Sequence, residues 1–430
     1  MIGRRARTLV VLAVLLAVLA ASLYWVSRPD HAASLLLDRI GKGMGLEISA
    51  SGVTEYRLRG TPMLLLRNVV VRQPGAVEPL LRAERIYLSL PWSTIRARGS
   101  DLTVKRIELD QPQLDLQALQ RWLATRPPSR KRLPTLTAGM LITDGSIVND
   151  DLDGNGNWRI DRIYAALPSL YPDRPLQARM RGRYLDLPVT IPFDLAVALL
   201  RPQALITATA TGCAAHGRVT VQRGDWRMPA TVTLSGPLKV SDDNLRVRPA
   251  RIGIAASYES RDMRVPFALG LYGPLAYQGT WALAPAGFAL RERGMTPDDP
   301  VPTLDAHGTL AFGRHLALHL DGAIAHWPDA WPALPPPLAQ SRSPLPFTLG
   351  YDGKLDFTDT TALRIRRDAT RFDGRFHLHE VLAWTRAAAS GSPLPPIDGT
   401  LSTPALEISG ARLESVEVEF KDDPAPPSLR

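Results

Sequence analysis

Along much of this chain apolar and polar residues alternate one for one, the spacing of a strand with one dry and one wet face. In Ala83–Trp92 (AERIYLSLPW), Ile86, Leu88, Leu90 and Trp92 fall on one side and Arg85, Tyr87 and Ser89 on the other. Leu102–Leu109 and Gln113–Leu116 continue the pattern, broken at Pro112. Further on, Val232, Leu234, Gly236, Leu238 and Val240 share a face against Thr233, Ser235 and Lys239. Leu316, Leu318 and Leu320 alternate with Ala317 and His319, and Val416, Val418 and Phe420 oppose Glu417, Glu419 and Lys421. One face of each strand then meets an apolar interior or an apolar ligand, and the other meets water. The expected class is mainly β, with a few short helices.

Helical spacing is confined to short stretches. Thr8–Val26 (TLVVLAVLLAVLAASLYWV) holds no charge and, at ~1.5 Å per residue, reaches roughly 28 Å, close to the ~30 Å hydrocarbon core of a bilayer. Arg4, Arg5 and Arg7 precede it and Tyr24 and Trp25 stand at its far end, which predicts a single-pass anchor with a cytoplasmic N-terminus and the body outside. The competing reading is a signal peptide cleaved near Ala20-Ala21-Ser22, which the apolar run through Leu23–Val26 opposes. His31–Met44 predicts an amphipathic helix ended by Gly43 and Gly45. Asp115 is placed to cap a short helix running through Trp122, since its carboxylate accepts from free N–H groups of a first turn.

Composition supports many short strands. The chain has 38 Pro in 430 residues, well above the usual ~5%, and they are scattered. The expected organisation is an Arg-rich tip and anchor over 1–27, an α+β module over 28–126, a Pro-rich linker over 127–134, a β-rich body over 135–421 and a disordered tail over 422–430. Pro328–Pro346 reads as a loop or linker. No fixed-period repeat is evident, and one long meandering sheet or several small sheets both fit.

A net charge of +9 raises the question of nucleic acid. The nearest basic run, Arg126–Arg132 (RPPSRKR), is proline-rich and lacks interleaved aromatics, so no nucleic-acid partner is expected. The basic excess suits a surface near anionic lipid headgroups better. Cys213 is the only cysteine, which rules out an intrachain disulfide and predicts a small buried hydrophobe.

Candidate chemistry is thin. Asn149–Asn157 (NDDLDGNGN) begins like a calcium loop at Asp151, Asp153, Asn155 and Gly156, but Arg162 stands where a bidentate Glu must close the site, so a polar hairpin turn between Ile147 and Trp158 is expected. His307, His315, His319 and His326 cluster in sequence, and His377 and His379 would share one side of a strand, yet no third zinc ligand has suitable spacing. No nucleophile elbow, phosphate-binding glycine loop or His-Glu-x-x-His occurs; Ser390-Gly391-Ser392 sits in loop composition, and Asp298-Asp299 and Asp422-Asp423 sit in Pro-rich turns. The expectation is no enzyme, no cofactor and no metal.

The first third carries a resemblance. An anchor, a short helix ending in Gly, LEISASGVTEYRLRGTPMLLLRNVVVRQPG, LLRAERIYLSLPW and LTVKRIELDQPQLDLQALQRWL follow one another, and the order resembles the N-terminal module of the AsmA-like family of bacterial inner-membrane proteins, relatives of TamB. Leu81–Leu90 and Ile107–Trp122 carry most of it, and Pro393–Phe420 resembles that family's closing strands. The resemblance implies an elongated, twisted antiparallel sheet, taco- or groove-like, on a protein anchored in the inner membrane with its body in the periplasm. It further implies a part in envelope biogenesis, through phospholipid movement or outer-membrane assembly, and it supplies no catalytic residues. A groove lined by Ile86, Leu88, Leu90, Leu234 and Leu238 is the expected contact for phospholipid acyl chains. The alternative is an adaptor acting on outer-membrane protein assembly through envelope-protein contacts, with no lipid carried.

Overall fold

The computed structural model describes residues 45–51, 55–57, 60–96, 103–125, 132–149, 157–241, 244–261, 263–294, 300–313, 315–329, 331, 343–354, 357–387, 396–408 and 411–421. The Thr8–Val26 anchor, the His31–Met44 helix, the Asp150–Gly156 part of the acidic turn and the 422–430 tail lie outside them. Among the described residues no helix is long and apolar enough to cross a membrane. The chain is mainly β and divides into two compact units at Ile206/Thr207.

The first unit contains β1 (Glu47–Ala50), β2 (Glu55–Arg57), β3 (Met63–Arg72), β4 (Leu81–Ser89), α1 (Trp92–Arg96), β5 (Thr103–Val104), β6 (Arg106–Asp110) and β7 (Gln113–Asp115). It continues with α2 (Leu116–Ala124), β8 (Thr135–Leu136), β9 (Met140–Asn149), β10 (Trp158–Leu167), β11 (Leu176–Asp186) and β12 (Val189–Leu199). β1 and β2 pair with β3, which pairs with β4; β4 pairs with β6 and β7, both of which run parallel to β9. β9 to β12 then follow as antiparallel neighbours, while β5 and β8 make a separate two-stranded parallel piece.

The strands that flank the acidic segment pair antiparallel as expected, with Asn149 and Trp158 direct partners. Asp115 caps α2 as its position predicts, its Oδ1 accepting from the Ala118 N–H at 2.7 Å. The helix lays Ala118, Leu119 and Trp122 against Leu66, Val69 and Val71, so this end of the sheet has a closed core.

The second unit is a meander: β13 (Thr211–Arg223), β14 (Trp226–Ser241), β15 (Asn244–Ser260), β16 (Met263–Tyr277), β17 (Trp281–Glu292) and β18 (Thr303–Phe312) are followed by six further strands. These are β19 (His315–His326), β20 (Leu345–Lys354), β21 (Thr360–Arg367), β22 (Thr370–His377), β23 (Asp398–Ile408) and β24 (Ala411–Phe420), with α3 (Leu378–Ala387) between β22 and β23. Every strand pairs antiparallel with its successor.

Two irregularities line up across this sheet. β15 carries one residue more than either neighbour at Arg248-Pro249, and β17 does the same at Ala284-Pro285. Such bulges bend a strand and shift which residues face the core. Each is accommodated by a glycine on the preceding strand: a Cβ at Gly236 would overlap the Pro249 carbonyl oxygen, and one at Gly273 the Pro285 carbonyl oxygen.

Four local expectations need correction. β4 ends at Ser89, which is buried beneath the Pro62 carbonyl that its hydroxyl reaches, and Trp92 opens α1 instead of extending the apolar face. Leu90 lies outside the strand, its N–H bonded to the Pro62 carbonyl. His377 ends β22 and His379 lies in α3, so they do not share a strand face. Leu345 and Pro346 belong to β20, where Leu345 is 2% exposed; one apolar residue with a buried seat outweighs the flanking prolines.

Candidate functional site

The register of the second unit joins its apolar positions into one row. Ala215 on β13 faces Leu234, Leu234 faces Ile252, and the row passes through Leu271 and Phe288 to Ala306 on β18. It continues through Gly322, Phe347, Ile365, Phe372 and Leu401 to Val418 on β24, one residue from each of the twelve strands. A second row runs beside it from Leu238 through Val247, Leu275, Leu283 and Leu310 to Leu318. Residues two apart on a strand share a face, so both rows lie on the same side.

Exposure along this face is graded. Val247, Ala250 and Leu283 are at most 1% exposed, whereas Leu234, Leu238, Leu269 and Phe372 are only half-buried. The buried cluster is built from strand residues, with Trp327 packed on it and no helix residue among its members. Cys213 packs against it, and burial pushes its thiol pKa up, which suits an inert hydrophobe rather than a nucleophile.

The opposite face is polar. Across it Ser235, Arg251 and Tyr272 stand in line, followed by Gly287, His307 and Asp321. Arg251 lies over the Tyr272 ring at 5.8 Å, Thr348 Oγ1 donates to Asp321 Oδ1 at 2.7 Å, and Arg364 pairs with Asp373 at 2.8 Å. His319 reaches Asp321 at 3.5 Å, and His377 Nδ1 lies 3.1 Å from the Thr358 carbonyl. Among the described residues no three His, Cys, Asp or Glu side chains are grouped to hold a metal.

The five residues expected to line one groove belong to two different units. Leu234 and Leu238 stand on the second unit's apolar face, as the alternation predicts. Ile86 packs into the first unit's helix-covered core, Leu88 is half-buried between Leu64 and Ile107, and Leu90 is outside the strand. Sequence reasoning missed the most enclosed positions, Val247, Ala250 and Leu283. Neither a family model, nor a curated protein, nor a solved structure matches this chain.

Proposed function

We propose that this chain is a non-enzymatic protein of the bacterial envelope, held in the inner membrane by Thr8–Val26 with its strands in the periplasm, and that the second unit's apolar face takes up phospholipid acyl chains. The observation that carries the reading is the unbroken row from Ala215 to Val418. Among the described residues no helix belongs to the buried centre of this face, so a sheet curled toward that face, in keeping with the natural twist of sheets, would account for its enclosure. The half-buried Leu234 and Leu238 then lie where the curl is open, and an acyl chain seated there gains ~0.8 kcal/mol for each CH₂ removed from water. The order of motifs resembling the AsmA-like family supports the same reading, as does the basic excess of the chain near anionic headgroups.

The test is lipid retention. The full chain purified in a neutral detergent should carry phospholipid that organic extraction and mass spectrometry reveal. Leu234→Glu with Leu238→Glu should remove most of it while far-UV circular dichroism stays unchanged. Equal lipid content in the wild type and the double variant would sink the proposal, and a protein partner crosslinked in place of lipid would favour the adaptor role.

A further inference from the structure

On the polar face of the second unit a cavity of about 710 Å³ opens over β13 to β17, away from the apolar rows. Its floor is made of short side chains in register: Thr220 faces Pro229, Thr231 faces Ala255, and Ser257 faces Pro266. Three guanidinium groups stand around this floor, from Arg218, Arg264 and Arg293, and all three side chains are exposed.

Among the described residues the charge there is only partly compensated. Glu259 is shared, with Arg227 at 2.8 Å and Arg264 at 3.5 Å. Arg218 and Arg293 have no ion pair among the described residues. A second and independent sign lies in the floor: Ser257 is 9% exposed and its Oγ has no hydrogen-bond partner, although buried hydroxyls are nearly always paired.

We propose that this cavity binds a phosphate group, as a monoester or diester. A carboxylate has two oxygens and is satisfied by one guanidinium fork, whereas a phosphate offers enough acceptors to engage several guanidinium groups and hydroxyls at once. The phosphate could be borne by a lipid headgroup or by a soluble ester; the chemistry of recognition is shared. The site lies on the opposite face from Leu234 and Leu238, so it stands apart from the acyl-chain reading.

The experiment uses the full chain in neutral detergent, titrated calorimetrically with glycerol 3-phosphate, and in parallel with phosphatidylglycerol or phosphatidylcholine carried in micelles of the same detergent. Saturable binding of glycerol 3-phosphate supports the site with a soluble source. Binding confined to phosphatidylglycerol micelles supports it with a headgroup source. In either case Arg218→Ala with Arg293→Ala should weaken binding at least about tenfold. The control, Arg366→Ala with Arg371→Ala, removes the same charge from exposed positions on β21 and β22 and should leave binding unchanged. No binding of either probe, or equal weakening by the two double variants, would overturn the proposal. Leu234→Glu should not alter the phosphate affinity, which separates this site from the apolar face.

Discussion

Arg183 holds Asp161 with two hydrogen bonds, its Nε donating to Oδ1 at 2.9 Å and its Nη2 to Oδ2 at 2.7 Å. The two are direct register partners on β10 and β11, so the pair ties those strands together beside the point where the register shifts. The hydrogen bond from Arg183 holds the Asp161 carboxyl below the usual carboxylate range, against a smaller opposing effect of burial. A folded pKa below the unfolded value of about 3.9 means that the ionised form stabilises the fold above about pH 4. That contribution is lost as pH falls through the folded value. Asp161→Asn should therefore lower Tm at pH 7 by about 2–4 °C, with the deficit shrinking below about pH 4. Calorimetry at pH 7 and pH 3 checks this, and an unchanged deficit at pH 3 would show that the ion pair is not its source.

Gly236 gives the bulge of β15 its room. Its φ is +152°, and an added methyl group would meet the backbone oxygen of Pro249 and the Val247 side chain. Gly236→Ala should cost about 1–3 kcal/mol in urea unfolding, because backbone cannot move aside as a flexible side chain can. Gly270 provides the contrast: a Cβ added there would meet nothing nearer than the Ala289 Cβ at 3.8 Å, an ordinary contact. Gly270→Ala should shift stability by no more than about 0.5 kcal/mol. Equal effects at the two positions would remove the bulge from the explanation.

The same bulges explain which strands were legible in the sequence. β14 keeps one phase from Val232 to Val240, so its apolar side can be read directly. In β15 the buried apolar positions change from odd-numbered Val247 to even-numbered Ala250 and Ala256, and in β17 the change falls between Leu283 and Ala286. A period of two is lost across such a step, so the enclosed residues looked irregular although Arg248-Pro249 and Ala284-Pro285 marked the places. Ile86 shows the other limit. Its alternation was correct, but nothing in a strand pattern tells whether a helix such as α2 will cover that face. The phosphate cavity was invisible for a different reason: Arg218, Arg264 and Arg293 are far apart in sequence, and only the meander brings them together.

Asp115 links β7 to α2 and faces a single competing demand, that its carboxylate stay within reach of Ala118 N–H. Asp115→Ala should destabilise the first unit by about 1 kcal/mol, and Asp115→Asn, which keeps an oxygen acceptor, by less. Because α2 covers Leu66 and Val69, a weakened cap should also speed amide exchange in β3, which exchange measured by mass spectrometry would register. Faster exchange in both variants alike would point to loss of charge at the helix start instead of loss of the capping bond.

Leu283 and Leu234 separate the fold's own need for the apolar face from its use. Leu283 is 0% exposed and faces Leu275 on one side and Leu310 on the other, so Leu283→Ala should cost about 2–5 kcal/mol. Leu413, 46% exposed on β24, should tolerate alanine within about 0.5 kcal/mol. Leu234 is half-buried, and its replacement by Glu can keep the new carboxylate wet only if the face is open beside it. An open face therefore predicts a divided outcome: Leu283→Ala loses stability and retains lipid per folded molecule, while Leu234→Glu retains stability and loses lipid. If urea unfolding shows the two variants destabilised alike, the face is closed at both positions, and acyl chains have no entry at Leu234.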